Sequence, residues 1–203
     1  IVGIDSIGWR FDPIFLSEKY TMEYHLKAFE QIASALEGYT RTAVISFIDL
    51  YEKTKRNFPE ASAVSKNDRL TIGKAFSSIA ARHGIKIHTC MEDDDLAPFG
   101  IDTDGCMTKE ILERAIGEEL AVPSGTVPAR KGCRCLLGSD IGAYNTCRHF
   151  CRYCYANYDR DTVLLNSAQH DPESPFLIGH SLPGDKIRDA RQVRYSTGQL
   201  KLF

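Results

Sequence analysis

The chain has 203 residues, 43% hydrophobic and 26% charged, with 25 Lys and Arg against 27 Asp and Glu. This composition excludes intrinsic disorder as the main state and supplies apolar material for one or two packed domains. No apolar run approaches the roughly 18 residues of a membrane helix and no signal-type stretch opens the chain, so a soluble, cytoplasmic protein without a membrane partner is expected. The net charge of -2 gives no global field to attract nucleic acid.

The chain begins at Ile1 inside an apolar segment, and an N-terminal portion is therefore expected to precede it. Ile7 to Phe11 reads as a strand stopped by Asp12-Pro13. Thr21 then caps a helix whose apolar positions Met22, Leu26, Phe29, Ile32, Ala33 and Leu36 recur at helical spacing and end at Gly38. Thr42 to Ile48 is nearly continuously apolar, as in a strand covered on both faces, and ends at Asp49. After a polar stretch from Lys53 to Lys66, the positions Leu70, Ile72, Phe76, Ile79 and Ala80 mark a second long helix that stops at Gly84. Ile85 to Thr89 supplies a third strand, followed by Cys90 and Glu92.

Alternating strands and helices predict an α/β fold with a parallel sheet, open or closed into a barrel. Ligand sites in such folds lie at the carboxyl ends of the strands, which here finish in Arg10 and Asp12, Asp49, and Cys90 and Glu92. Asp12 also suits a plain turn, Asp49 a helix cap, and the acidic run from Glu92 to Asp95 a solvated loop. Beyond Asp95 a helix fits Thr108 to Leu120. Pro123, Gly125, Pro128 and Gly132 then break regular structure, and the last 49 residues read as mostly loop. The expected organisation is a βα-repeat, partial (β/α) barrel-like region over residues 1–120, with a cysteine-rich, loop-rich region over 121–203 packed on it.

The seven cysteines lie at 90, 106, 133, 135, 147, 151 and 154. An odd count without a secretory signal argues against a disulfide framework and for reduced thiolates acting as metal ligands. Cys147-x3-Cys151-x2-Cys154 is a spacing by which one loop supplies three thiolates to a 4Fe-4S cluster and leaves one iron open. An open iron suits chelation and reductive cleavage of S-adenosylmethionine, with aromatic Tyr153 placed to pack near the adenine. The rival reading is zinc: Cys133, Cys135, Cys151 and Cys154 form a possible four-thiolate structural site.

The run from Cys133 to Asn157, with Ser139-Asp140-Ile141-Gly142 between its cysteine groups, resembles the signature of domain of unknown function 1848, a bacterial and archaeal family. Trp9-Arg-Phe-Asp-Pro-Ile14, Ile45-Ser-Phe-Ile-Asp49, Thr89-Cys-Met-Glu92 and His170-Asp-Pro-Glu-Ser-Pro175 extend the resemblance over nearly the whole chain. Met91 departs from it, standing where a small residue is expected. The resemblance implies a cysteine cluster like that of radical-SAM domains, and a chain corresponding to roughly the C-terminal two thirds of a member. It adds Asp140 and Tyr155 to Tyr153 as cofactor-binding candidates.

Only 49 residues follow Cys154, too few for the rest of a barrel that takes about 200 residues or more, so a permuted radical-SAM barrel is expected, with its strands upstream of the cluster loop. In this reading Arg10, Asp12, Asp49 and Glu92 orient cofactor or substrate, and an electron donor such as flavodoxin or ferredoxin is the partner. Cys90, Cys106, Cys133 and Cys135 number what a second iron-sulfur or zinc site requires. Arg130, Lys131, Arg134, Arg148 and Arg152 admit a nucleic-acid substrate, with a solvated basic loop the favoured alternative. The reading from another class is a noncatalytic binding module stabilised by zinc or closed clusters.

Overall fold

The computed structural model describes residues 2–127, 132, 134–136, 142–186 and 194–200. The chain divides into two compact units, one comprising Ile1–Asp49, Glu60–Gly138 and Tyr195–Phe203, the other Leu50–Pro59 and Ser139–Arg194.

The first unit is built on a β-α-β-α-β run: β1 (Gly8–Ile14), α1 (Met22–Leu36), β2 (Thr42–Phe47), a helix at Lys66–Arg82 and a strand at Lys86–Thr89. The three strands pair in parallel, in sequential order. Thr21 caps α1 by accepting from the Tyr24 N–H, and Ser65 caps the second helix by accepting from Asp68, each satisfying an amide that has no partner within its helix.

Alternation along the strands gives the sheet two unlike faces. Trp9 and Phe11 of β1, Ala43, Ile45 and Phe47 of β2, and Ile87 of the third strand join the apolar core with Phe29 and Phe76. The rings of Phe29 and Phe76 stack at 3.9 Å, and Trp9 and Phe11 lean on Phe29 at 4.7 and 5.4 Å. The other face carries Arg10, Asp12, Val44, Ser46 and His88, with Arg10, Val44 and His88 in one cross-strand row.

Four differences from the sequence expectation have local causes. The first strand does not stop at Asp12-Pro13 but crosses it with a register shift between Phe11 and Ile14, because a bulge accommodates the missing proline N–H. The helix expected over Thr108 to Leu120 is shorter, Lys109–Ile116, and ends where Gly117 takes a left-handed φ of 70°. The chain then forms a strand at Glu118–Leu120 that pairs antiparallel with Ser196–Leu200, a second small sheet that the sequence reading left as helix and loop. The parallel sheet has three strands and is open among the described residues, so a closed barrel is not seen.

Numbered in chain order, Glu52–Asn57 is α2, Lys66–Arg82 α3, Lys86–Thr89 β3, Lys109–Ile116 α4, Glu118–Leu120 β4, Arg160–Ala168 α5 and Ser196–Leu200 β5. The second unit holds α2, the loop from 142 to 158 and α5. Asp159 caps α5 through the Thr162 N–H at 2.7 Å, and Val163 is fully buried. Arg152 links loop to helix, its Nε donating to the Asn57 carbonyl at 2.9 Å and its guanidinium lying 4.7 Å from the Phe58 ring centre. No helix among the described residues is long and apolar enough to cross a membrane.

Candidate functional site

In the second unit the three cysteines of the x3, x2 motif stand on one loop. Phe150, at φ 53°, turns the chain between Cys147 and Cys151, and the Cys154 N–H closes onto the Cys151 carbonyl at 3.0 Å. Asn157 fastens the start of the loop, its Nδ2 donating to the Cys147 carbonyl at 2.7 Å, while the Asn145 N–H donates to the Ala156 carbonyl. Cys147 and Cys151 are exposed and Cys154 is half-buried. Tyr155 and Tyr158 are exposed, Tyr144 stacks on Tyr158 at 5.6 Å, and it meets Tyr155 edge-on at 6.4 Å. Tyr153 is exposed at the loop surface. Asp140, the remaining cofactor-binding candidate, lies outside the described residues, as do Cys133, Arg130 and Lys131.

The first unit brings the four residues expected at the strand ends into two separate groups. On the polar sheet face Arg10 Nη2 meets Asp12 Oδ2 at 2.5 Å, and Ser46 Oγ donates to the same oxygen at 3.4 Å. Burial works against the Arg10 charge, but hydrogen bonds to Asp12, Cys106 and Cys90 outweigh it and raise the pKa. Interaction with the Cys106 thiol, followed by burial, pushes the Cys90 thiol up, while the interaction with Cys90, helped by Arg10 and opposed by burial, lowers Cys106 to about 7. Cys135 Sγ lies 4.0 Å from Cys106 Sγ and accepts from the Met107 N–H at 3.3 Å. Three of the four cysteines expected to form a second site therefore adjoin one another.

The second group surrounds a cleft of about 280 Å³ lined by Asp49, Arg69, Glu92 and Asp93 among others. Glu92 Oε1 accepts from the Phe47 N–H at 2.7 Å, and Oε2 lies 2.8 Å from Arg69 Nη2. The side chain is 8% exposed; burial raises its pKa to about 7 against the opposing pull of the Phe47 amide and Arg69, with Asp49 and Asp93 adding to the rise. Arg69 lies 5.1 Å from the Phe47 ring centre and reaches Asp95 at 3.7 Å. Sequence reasoning passed over Arg69, Asp95 and Ser46 as site residues. Only Asp95 carried a signal, as the end of the acidic run.

A proton-holding carboxyl beside an arginine and a hydrogen-bonded thiol group beside another arginine are each suited to acid-base or nucleophilic work. Among the described residues no group of three or more His, Cys, Asp or Glu side chains forms a ready metal site. Residues 1–156 match the family model described as Domain of unknown function (DUF1848). No curated protein and no solved structure matches the chain.

Proposed function

The chain belongs to that family, and from this premise we propose that it is an iron-sulfur protein of radical-SAM-like type, acting on a substrate yet to be identified. The observation that carries the reading is the single loop bearing Cys147, Cys151 and Cys154, folded by the Cys154–Cys151 and Asn157–Cys147 hydrogen bonds, with two of its thiols facing solvent. Three thiolates are the donor set a 4Fe-4S cluster with one open iron requires. When bound, the cluster supplies the electron that reductively cleaves S-adenosylmethionine.

The remaining work falls to the chain. In this reading Tyr153 offers an aromatic surface for the adenine, with Tyr155 and Asp140 completing the cofactor-binding set. Arg10, Asp12, Asp49 and Glu92 orient cofactor or substrate, an electron donor of the flavodoxin or ferredoxin class supplies reducing equivalents, and the setting is the cytoplasm. A permuted barrel is supported by three features of the first unit: sequential parallel strands, α1 and α3 on one face of the sheet, and a polar second face. The parallel bridge between His88 and Asp102 further extends the sheet beyond β3.

The test is anaerobic purification with iron, sulfide and zinc analysis, followed by electron paramagnetic resonance of the reduced protein with and without S-adenosylmethionine. Iron and sulfide, with a signal that shifts on adding S-adenosylmethionine and disappears in Cys151→Ala, are the expected results. Zinc without sulfide overturns the reading and leaves a noncatalytic metal-stabilised module.

A further inference from the structure

Three described thiols of the first unit, Cys90, Cys106 and Cys135, lie outside the cluster loop. Cys90 directly follows the end of β3, and its thiol interacts electrostatically with that of Cys106. Cys106 in turn is 4.0 Å from Cys135. The Arg10 guanidinium pairs with Asp12 at 2.5 Å, and its charge acts on Cys90 and Cys106.

Simple packing does not account for this arrangement. Packing of small apolar side chains gives no reason for two sulfurs to adjoin at 4.0 Å. Among the described residues Cys90, Cys106 and Cys135 form no group of three able to hold a metal ion.

The local backbone is adapted to bringing Cys135 close to Cys106. Gly105 has φ 135°, and a Cβ there would stand 3.0 Å from the Cys135 sulfur, so the residue preceding Cys106 must lack a side chain for the two to adjoin. The segment is held in register by the Arg134 N–H on the Asp104 carbonyl at 2.9 Å and the Leu136 N–H on the Met107 carbonyl at 3.0 Å. Arg134 also pairs with the Asp104 carboxylate at 2.9 Å. Cys106 is half-buried and partly open to solvent, whereas Cys135 is buried.

We propose that Cys106 and Cys135 form a thiol–disulfide exchange pair whose substrate class is the low-molecular-weight disulfides, with the half-buried Cys106 as the attacking thiol and the buried Cys135 as the resolving one. The Cys106 thiolate attacks one sulfur of the disulfide RS–SR, forming Cys106–S–SR and releasing RS⁻, which takes up a proton. Cys135 then gives up its thiol proton to solvent and attacks the Cys106 sulfur, forming the Cys106–Cys135 disulfide and releasing the second RS⁻, which is protonated in turn. Two protein thiols are oxidised and one disulfide is reduced to two thiols. Closing a gap of 4.0 Å to the ~2.05 Å of a disulfide bond lies within side-chain rotation and small loop shifts.

The test uses the reduced, chelator-treated chain, equilibrated anaerobically with glutathione at stepped ratios of oxidised to reduced form, then alkylated and mapped by peptide mass. The expected result is a reversible disulfide between the Cys106 and Cys135 peptides. In Cys135→Ser the exchange stops at Cys106 bearing one glutathione; in Cys106→Ser no mixed disulfide forms at Cys135; in Cys90→Ser the pair still closes.

Both thiols remaining free across the whole range in the unsubstituted chain overturn the proposal, whatever the variants do. So does stoichiometric zinc, retained before chelation and shielding Cys90, Cys106 and Cys135 together from alkylation. The same pair is expected to close in Cys151→Ala, so failure of the cluster reading and failure of this one are separable.

Discussion

Substituting Glu92 by glutamine should remove a specific part of the pH dependence of stability. The carboxyl is 8% exposed and its pKa rises from 4.5 to about 7 in the folded chain. Folding therefore tightens proton binding. The contribution is fully present below the unfolded value, declines as the unfolded chain ionises first, and is lost once pH passes the folded value. At ~1.4 kcal/mol per unit the upper bound is about 3 kcal/mol, and water at the cleft mouth reduces this to on the order of 1–2 kcal/mol. Other groups also titrate in this window: His83 is raised by Glu30 and Glu37, whereas His25 and His88 are lowered by burial. All are common to both proteins and cancel in the comparison. Urea unfolding of wild type and Glu92→Gln at about pH 5 and about pH 8 should show wild type losing on the order of 1–2 kcal/mol more between the two. The glutamine oxygen can still accept from Phe47, and at about pH 5 the neutral glutamine stands in for the protonated carboxyl beside Arg69. Equal losses, or a wild type that gains relative to the variant as pH rises, would refute the assignment of a neutral buried carboxyl.

Other outcomes follow from the packing and the caps. Phe76→Ala removes a fully buried ring stacked on Phe29 at 3.9 Å and should cost about 3–5 kcal/mol in denaturant unfolding. Gly73→Ala places a Cβ 2.6 Å from a Leu96 methyl on the buried side of α3, so despite the better helix propensity of alanine it should lower stability by about 1 kcal/mol or more. Thr21→Ala deletes the cap on the Tyr24 amide and should cost about 1 kcal/mol, visible as a lower unfolding midpoint with unchanged m-value.

The first unit was legible in the sequence wherever one physical signal governs. The period of Met22, Leu26, Phe29, Ala33 and Leu36 and the Thr21 cap give α1 with its bounds, and the unbroken apolar run from Thr42 gives β2. Elements held by few buried contacts were not legible. The helix α5 buries only Val163 and leaves Leu164 and Leu165 exposed, so its apolar residues mark no helical face, and β4 and β5 pair across 75 intervening residues with no alternation to announce them. Local chemistry likewise gave the wrong end to β1, because Asp12-Pro13 is a turn signal that sheet pairing overrides through a register shift.

The candidate site was legible as a list and not as an arrangement. Arg10, Asp12, Asp49, Cys90 and Glu92 were grouped because each ends a strand, yet a strand end leads to either face of a sheet. Arg10 and Asp12 follow the alternation of β1 onto the polar face, where Cys90 joins them. Between Cys90 and Glu92 stands Met91 at φ 61°, a left-handed turn that redirects the chain so that Glu92 meets the last amide of β2 and Arg69 of α3. A non-glycine residue in that conformation is strained, which is the physical reason a small residue is expected there. The turn thus separates a thiol bound to one arginine from a carboxyl bound to another by a single residue of sequence. Perturbing one group need not perturb the other: Glu92→Gln should leave Cys106–Cys135 exchange unchanged, while Met91→Gly, by relaxing the turn without moving either partner, should retain both.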